Sequence, residues 1–338
     1  MRQVWIPRLG GPEVLEVREA PDPEPGPGQV RIKVGAAGVN FADTMARIGL
    51  YPDAPKLPTV VGYEVAGVVD RVGSGVTGVA VGTRVLALTR FGGYSSSVVV
   101  RADQAVLIPA DLSIEKAAAI PVTYLTAWIM LVWLGNVRAG ETVLVHAAAG
   151  GVGQAALQIC TWRGARVIGT ASAGKHERLR AAGVVHCIDY TTQDFEAEVA
   201  RITDGKGVDI VLDAVGGKSF AKSYRSLAPL GRLFAFGGSG FAPSGTRNIV
   251  AVLRAFFALP KFKPMRLMNE NRGVFGVNMG HLWEHADKLG AMMQEIVGLV
   301  GKGVLDPVVD KTFPFDRASE AHAYLQARGN FGKVLLIP

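Results

Sequence analysis

The sequence predicts an α/β protein built on a doubly wound parallel sheet, and three observations carry that prediction. The first is the stretch Val143–Leu157, where the apolar run Thr142–Val145 leads through a small-residue turn into a helical pattern from about Gly151. The second is the strand–helix alternation that continues from there to Phe236. The third is a contrast: residues 1 to about 122 read as short strands and turns without that alternation.

Bulk composition narrows the field. The 338 residues suggest about two domains, and 49% hydrophobic content supplies a large core and argues against disorder. The formal net charge of +7 raises the question of nucleic acid. The basic residues form no run, so the sequence reads as scattered charge with a local anion site and no nucleic-acid partner. The two cysteines, Cys160 and Cys187, fall on a predicted helix and strand, lack metal-ligand spacing, and read as core residues. No apolar segment follows a basic start, so no secretory signal is expected and a cytoplasmic protein is. The apolar stretch Ala117–Leu134 is broken by Pro121 and threonines, which argues against a membrane span.

In the first third, Val30–Ala37, Val65–Val72, Arg84–Leu88 and Ser95–Arg101 are β-rich. Pro21–Gly28 and Gly73–Gly75 are turns between them. Gly38–Tyr51 mixes apolar and hydrogen-bonding side chains, as a segment lining a cleft would.

The central stretch aligns with the dinucleotide fingerprint, with Ala148, Gly150 and Gly153 in the three glycine positions. Small residues are needed there because the turn is sharp, a pyrophosphate approaches the backbone, and helix packs close on strand. Ala149, Gly150, Gly151 and Val152 thus form the turn and helix start, whose N–H groups and positive dipole end suit phosphate. A second strand, Arg166–Thr170, follows. NAD enzymes place an acid about 20 residues past the fingerprint to hold the ribose 2′-hydroxyl. Here Ser172 stands in that region, and no Asp or Glu occurs between Arg166 and Lys175. A carboxylate would repel a 2′-phosphate, whereas Ser172 can hydrogen-bond it and Lys175 can neutralise it, so NADPH is the expected cofactor. His176 reads equally well as part of this patch or as a solvated helix-start residue.

Farther on, Val184–Ile188, Val208–Leu212 and Gly231–Phe236 read as strands, and Phe195–Ile202 and Ser219–Leu227 as helices. Asp213–Gly217 follows a strand end, where α/β ligand crevices open. Gly237 and Gly238 allow close approach of a nicotinamide ribose just past Phe236. Ile249–Leu259 is apolar nearly all round and leaves three readings open: a buried helix at a subunit contact, a lid over a greasy substrate, or membrane-surface attachment. Val274–Val277 reads as a strand, Leu282–Val300 as a helix, Val304–Val309 as an extended run, Ala318–Ala327 as a helix and Lys333–Ile337 as the last strand. His281-Leu-Trp-Glu-His285 matches the H-x-x-E-H zinc-protease pattern. Its place after a dinucleotide domain argues for an ordinary solvent-facing helix.

Gly38–Tyr51, Gly62-Tyr-Glu64, Val143–Gly153 and Gly332–Leu336 occur in an order and spacing that resemble the medium-chain dehydrogenase/reductases, over nearly the whole chain. The resemblance is to their quinone oxidoreductase (zeta-crystallin-like) branch. Thr170–His176, Gly207–Val211 and Arg247-Asn248 resemble its vesicle amine transport protein group. It implies a GroES-like β-barrel domain, discontinuous over 1–122 and 280–338, and a Rossmann domain over 123–279. It also implies a homodimer, and reduction by NADPH of a small apolar, electron-poor quinone or α,β-unsaturated carbonyl. Zinc members carry Cys where this chain has Asn40 and His where it has Tyr63, so no metal site is expected. By the same resemblance, Tyr51 matches a proton-donating tyrosine of enoyl-thioester reductases. Asn40 would bond the substrate carbonyl or the nicotinamide ribose, and Thr126, Phe275, Val277 and Asn330 would lie by the cofactor. Tyr190 would border the adenosine phosphate. Met45 replaces a tyrosine of many quinone reductases, which puts transfer of their substrate pocket in doubt. Two alternatives stand beside this reading. One is an enoyl-thioester reductase acting on CoA or carrier-bound substrates, suggested by Tyr124–Trp128 and His146–Gly153. The other is an NADPH-binding lipid- or membrane-associated protein with little activity, although membrane contact is not the favoured expectation.

Overall fold

The computed structural model describes residues 1–241 and 256–338. These fall into two compact units, one comprising Met1–Leu125 and Met279–Pro338, the other 126–241 and 256–278.

The first unit opens with the small antiparallel pair β1 (Arg2–Trp5) and β2 (Glu16–Glu19). Its main strands are β3 (Gln29–Val39), β4 (Glu64–Val72), β5 (Arg84–Leu88), β6 (Ser97–Arg101) and β7 (Val106–Leu107). Val30, Ile32, Val34, Val65, Val69, Val85 and Val98 fill its core. The Gly38–Tyr51 segment is not a simple loop, because Phe41–Arg47 forms a helix, α1. Asp43, in the third position of that helix, accepts the backbone N–H of Asn40, as an acid does in a capping box. The stretch Ala117–Leu134 divides into the end of α2 (Ile114–Ala118), α3 (Pro121–Trp128) and a π-helical segment Ile129–Trp133. Among the described residues no helix is long and apolar enough to cross a membrane.

The second unit is the expected parallel sheet. Its strands are β8 (Thr142–Val145), β9 (Arg166–Ala171), β10 (His186–Asp189), β11 (Val208–Asp213), β12 (Leu227–Ala235) and β13 (Gly273–Gly276). They pair in the order β10-β9-β8-β11-β12-β13, all parallel. The order reverses between β8 and β11, the place where such sheets take ligands. The apolar runs of β8 and β11 are almost continuously buried, as strands covered on both faces should be. The connecting helices are α4 (Gly151–Trp162), α5 (His176–Ala181), α6 (Phe195–Ile202), α7 (Lys218–Arg225) and α8 (Pro264–Glu270). Strand β12 begins earlier than the sequence suggests, at Leu227, and Phe236 lies just past its end.

The tail completes the first unit with α9 (Ala286–Gly301), β14 (Val309–Pro314), α10 (Ala318–Gln326) and β15 (Lys333–Ile337). Its sheet order is β14-β15-β3-β4-β5-β7, with β6 also paired to β3. The extended run read over Val304–Val309 becomes a strand only from Val309. The helix read from Leu282 starts at Ala286. His281 and His285 lie instead on two short 3-10 turns, Met279–His281 and Trp283–His285. At three residues per turn, positions four apart do not share a face, which removes the basis of the zinc-protease pattern. His281 pairs with Asp53 at 2.9 Å. Of the apolar stretch Ile249–Leu259, 249–255 lie outside the described residues, and Phe256 and Phe257 are exposed.

Candidate active site

In the dinucleotide unit, β8 ends at Val145 and α4 begins at Gly151, with Gly150 as its N-cap residue. Ala147 takes a positive φ of 53°, and the Gly150 N–H bonds its carbonyl at 2.8 Å, which closes the turn. A Cβ on Gly153 would stand 2.5 Å from the carbonyl oxygens of both Ala147 and Ala148, so only glycine fits. The first helical hydrogen bond runs from the Gln154 N–H to the Gly150 carbonyl. The N–H groups of Gly151, Val152 and Gly153 therefore precede the helical ladder, as an anion-binding helix start requires. This backbone cradle fits a dinucleotide pyrophosphate. Ala149 is buried beside it, and Gly150, Gly151 and Val152 are half-buried.

Behind the turn lies a polar chain that the sequence did not reveal. Thr170 Oγ1 stands 3.2 Å from His146 Nδ1, and His146 Nε2 stands 3.1 Å from Ser223 Oγ. The Ser223 hydroxyl donates to Asp213 Oδ2 at 2.7 Å, and the Ala147 N–H donates to Thr170 Oγ1 at 3.3 Å. These bonds fit one arrangement: a neutral His146 carrying its proton on Nε2 and accepting the Thr170 hydroxyl at Nδ1. Burial holds the His146 pKa below its ordinary value, against the pull of Asp213. Asp213 also accepts the N–H groups of Val215 and Gly216 and the hydroxyl of Ser219. The chain thus links the fingerprint turn to the turn after β11.

The expected cofactor residues of this unit take definite places. Ser172 is half-buried immediately past β9, at the N-cap position of the 3-10 turn Ala173–Lys175, where its side chain makes no capping bond. Lys175 is half-buried at the end of that turn, and Tyr190 follows β10 at 39% exposure. Phe236 donates its N–H to the Asp213 carbonyl. Gly237 is exposed, with no room for a Cβ against Ala214. Phe275 stacks on Phe234 with centroids 5.0 Å apart, and the Val277 N–H bonds the Ala235 carbonyl. Thr126 is buried on α3.

In the first unit, strand register builds a second constellation. Val334 pairs with Val39 and Ala37 with Val65, which brings the ends of β3, β4 and β15 together. Lys333 forms an ion pair with Glu64, and both are buried, at 4% and 0% exposure. Lys333 Nζ also donates to Asn40 Oδ1 at 2.7 Å. The second Glu64 oxygen accepts the Val122 N–H at 2.7 Å. Asn40 Nδ2 donates to Glu64 Oε1 at 2.9 Å and more weakly to the Gly38 carbonyl at 3.4 Å. Both amide protons of Asn40 are therefore committed, and its open valence is a lone pair on Oδ1. Asn40 can accept a hydrogen bond there but has no proton left for a carbonyl oxygen. Asn330 is buried near the start of β15 with its amide donating to Gly332.

A second chain stands beside this triad. Asp43 accepts the Asn40 N–H at 2.8 Å, the Gly62 N–H at 3.2 Å and the Tyr94 hydroxyl at 2.8 Å. The Tyr94 oxygen lies 3.2 Å from His322 Nε2, and Arg47 Nη1 lies 3.1 Å from His322 Nδ1. Again a single neutral tautomer fits, with the proton on Nε2. Burial, and secondarily the Arg47 guanidinium, hold His322 down to about 3. Burial pushes Asp43 up to about 7 against its three donors. Gly62, at φ 101°, presses against the Tyr94 backbone and admits no side chain. One carboxylate thereby pins the segments that carry Asn40 and Tyr63.

Tyr51 is half-buried, and burial raises its pKa, so it is a protonated donor at neutral pH. Its ring meets that of Tyr63 edge-on, with centroids 6.1 Å apart and planes at 76°. Tyr63 packs in turn on Phe91. No sequence motif brings Glu64, Lys333, Asp43, Tyr94 and His322 together as a group. The Asn40-x-x-Asp43 capping pattern was the one local signal.

Comparison with known proteins agrees with this architecture. Residues 26–110 match the alcohol dehydrogenase GroES-like domain, and 182–336 match a domain described as zinc-binding dehydrogenase. The human synaptic vesicle membrane protein VAT-1 homolog is 42% identical over 325 residues, 96% of this chain and 82% of that protein. A quinone oxidoreductase of Pseudomonas aeruginosa is 36% identical over 339 residues, covering 100% of this chain and 99% of its own. The Escherichia coli quinone oxidoreductase, solved in complex with NADPH, superposes with a TM-score of 0.88 at 33% identity over 100% of both chains. The zinc implied by the second domain description does not fit the residues present. Zinc takes three or four N, S or O donors, and Asn40 and Glu64 are already held by the Lys333 ammonium. Among the described residues no group of three or more His, Cys, Asp or Glu side chains could hold a metal ion.

Proposed function

Because the chain belongs to the medium-chain dehydrogenase/reductase family, in the branch of quinone oxidoreductases and VAT-1 proteins, we propose that it is an NADPH-dependent, zinc-independent reductase of quinones or α,β-unsaturated carbonyls. The observation that carries the cofactor assignment is the strand end at Ala171 followed by Ser172 and Lys175, with no acid where an NAD enzyme holds its ribose. The N–H groups at the start of α4 hold the pyrophosphate, and Ser172 and Lys175 take the 2′-phosphate, bordered by Tyr190. Phe236, Gly237, Thr126, Phe275, Val277 and Asn330 serve the rest of the cofactor. When bound, NADPH supplies the hydride. Asn40, fixed as an acceptor, receives a hydroxyl or amide proton of the cofactor rather than bonding the substrate's carbonyl. Tyr51 provides the proton that completes the reduction, a general-acid contribution of about 10²–10⁴-fold.

Titrating the protein with NADPH and NADH by fluorescence, then following cofactor oxidation with quinones, enones and enoyl-CoA thioesters, tests the proposal. The expected result is NADPH binding at least tenfold tighter than NADH and turnover of quinones or enones. Equal binding of both cofactors would remove the Ser172–Lys175 argument. Tight binding with no turnover of any acceptor would remove the reductase.

A further inference from the structure

Among the described residues, four buried side-chain polar atoms have no hydrogen-bond partner: Trp5 Nε1, the Tyr63 and Tyr224 hydroxyls, and Arg272 Nε. Tyr63 alone of these lies against a residue assigned chemistry above. Its side chain is 6% exposed and clamped between the rings of Tyr51 and Phe91, at 6.1 and 5.2 Å. A buried hydroxyl without a partner loses its bonds to water and gains nothing in the folded state. Phenylalanine would fill the same space without that loss.

We propose that Tyr63 is a positioning residue for Tyr51, its buried hydroxyl held ready to donate a hydrogen bond to the Tyr51 oxygen as that oxygen gives up its proton. The inference rests on the reductase reading. In the resting protein the Tyr63 hydroxyl has no partner in full hydrogen-bonding geometry, yet it lies close enough to Tyr51 to favour that neighbour's ionisation. During reduction the Tyr51 O–H bond breaks and its proton passes to the acceptor, whose electron pair comes from the hydride delivered by NADPH. The phenolate left behind accepts the Tyr63 O–H and later regains a proton from solvent, which half-buried Tyr51 can reach. The charged groups facing the pair favour this division of labour. Asp43 and Asp53 oppose ionisation of both phenols, and burial raises both, Tyr63 the more strongly. Tyr63 eases the ionisation of Tyr51, whereas Tyr51 hinders that of Tyr63, so Tyr63 is the partner that keeps its proton. In zinc-dependent relatives this position holds a metal-ligating histidine; here a phenol assists proton transfer instead.

The test is Tyr63→Phe, alone and combined with Tyr51→Phe. Turnover of the single variant is expected to fall about tenfold, the loss of one hydrogen bond to a charged oxygen, with NADPH affinity unchanged. Its melting temperature is expected to stay level or rise, since an unsatisfied hydroxyl is removed. The double variant is expected to be no slower than Tyr51→Phe. With 3-fluorotyrosine incorporated, the Tyr51 ¹⁹F resonance, assigned by its absence from Tyr51→Phe, should titrate at higher pH in Tyr63→Phe. Parental turnover together with an unmoved Tyr51 titration would overturn the proposal. So would a lowered melting temperature with losses that multiply in the double variant, since the hydroxyl would then be structural. If the parent reduces no acceptor, the reductase reading fails on its own, and the Tyr51 titration decides whether Tyr63 acts on it.

Discussion

Each unit buries a histidine in a hydrogen-bonded chain that ends on a carboxylate, and the two chains are fed differently. In the dinucleotide unit the chain runs Thr170, His146, Ser223, Asp213, and every member other than Asp213 is neutral. In the first unit it runs Arg47, His322, Tyr94, Asp43, so a guanidinium stands at one end and a carboxylate at the other. Both chains end by holding backbone N–H groups: Val215 and Gly216 in one, Asn40 and Gly62 in the other. The shared lesson is that fully satisfied buried networks place the turns that carry function. The contrast is that charge is concentrated in the first unit, where the Lys333–Glu64 pair lies beside Asp43's segment.

That contrast makes the first unit the more sensitive of the two to single substitutions. Lys333→Met should have the largest effect, because it strands Glu64 as a buried charge at 0% exposure. Breaking such a pair costs about 3–5 kcal/mol. Adding Glu64→Gln should recover much of it, as measured by urea denaturation. A Lys333→Met protein as stable as the parent would show that Glu64 is neutral in the fold. Tyr94→Phe comes next, since it removes both a donor to the Asp43 carboxylate and the acceptor of the His322 proton, for about 2–3 kcal/mol. Ser223→Ala, the matching change in the dinucleotide unit, should cost about 1–2 kcal/mol. Asp213 there keeps Ser219 and two backbone donors. Equal losses from the two variants would erase the distinction between the chains.

The dinucleotide unit was legible in the sequence because its signals are local. The turn, its glycines, the apolar strand before it and the helix after it all lie within Thr142–Leu157. The absence of an acid at Ser172 is equally a matter of counting. The first unit hid its constellation because strand register, not spacing, assembles it. Lys333 and Asn40 are 293 positions apart and meet only because β15 pairs with β3. Asn40 itself was singled out, yet its role as an acceptor follows from the partners of its two amide protons, which no motif records. His281 and His285 show the reverse failure, a good pattern on a presumed α-helix that the backbone builds as two 3-10 turns.

The smallest predicted effect is one of slope with pH. Stability rises with pH wherever the unfolded chain binds more protons than the folded one. His322 is held down to about 3 in the fold and titrates near 6.5 when unfolded, so between those values it makes the fold less stable as the solution becomes acidic. Asp43 works in the opposite direction. Its folded value is raised to about 7 against an ordinary 3.8, so over the same range the fold takes up a proton that the unfolded chain does not. From about pH 6.5 to 4 the two slopes, each at most about 1.4 kcal/mol per pH unit, offset each other. Asp43→Asn removes one of them and leaves His322 unopposed. The variant should therefore lose stability below pH 6.5 by up to that amount per unit, beyond the change in the parent. Urea melts at pH 7.5, 6 and 5 measure the slope directly. Parallel pH profiles would mean that Asp43 stays ionised throughout, held by its three hydrogen-bond donors.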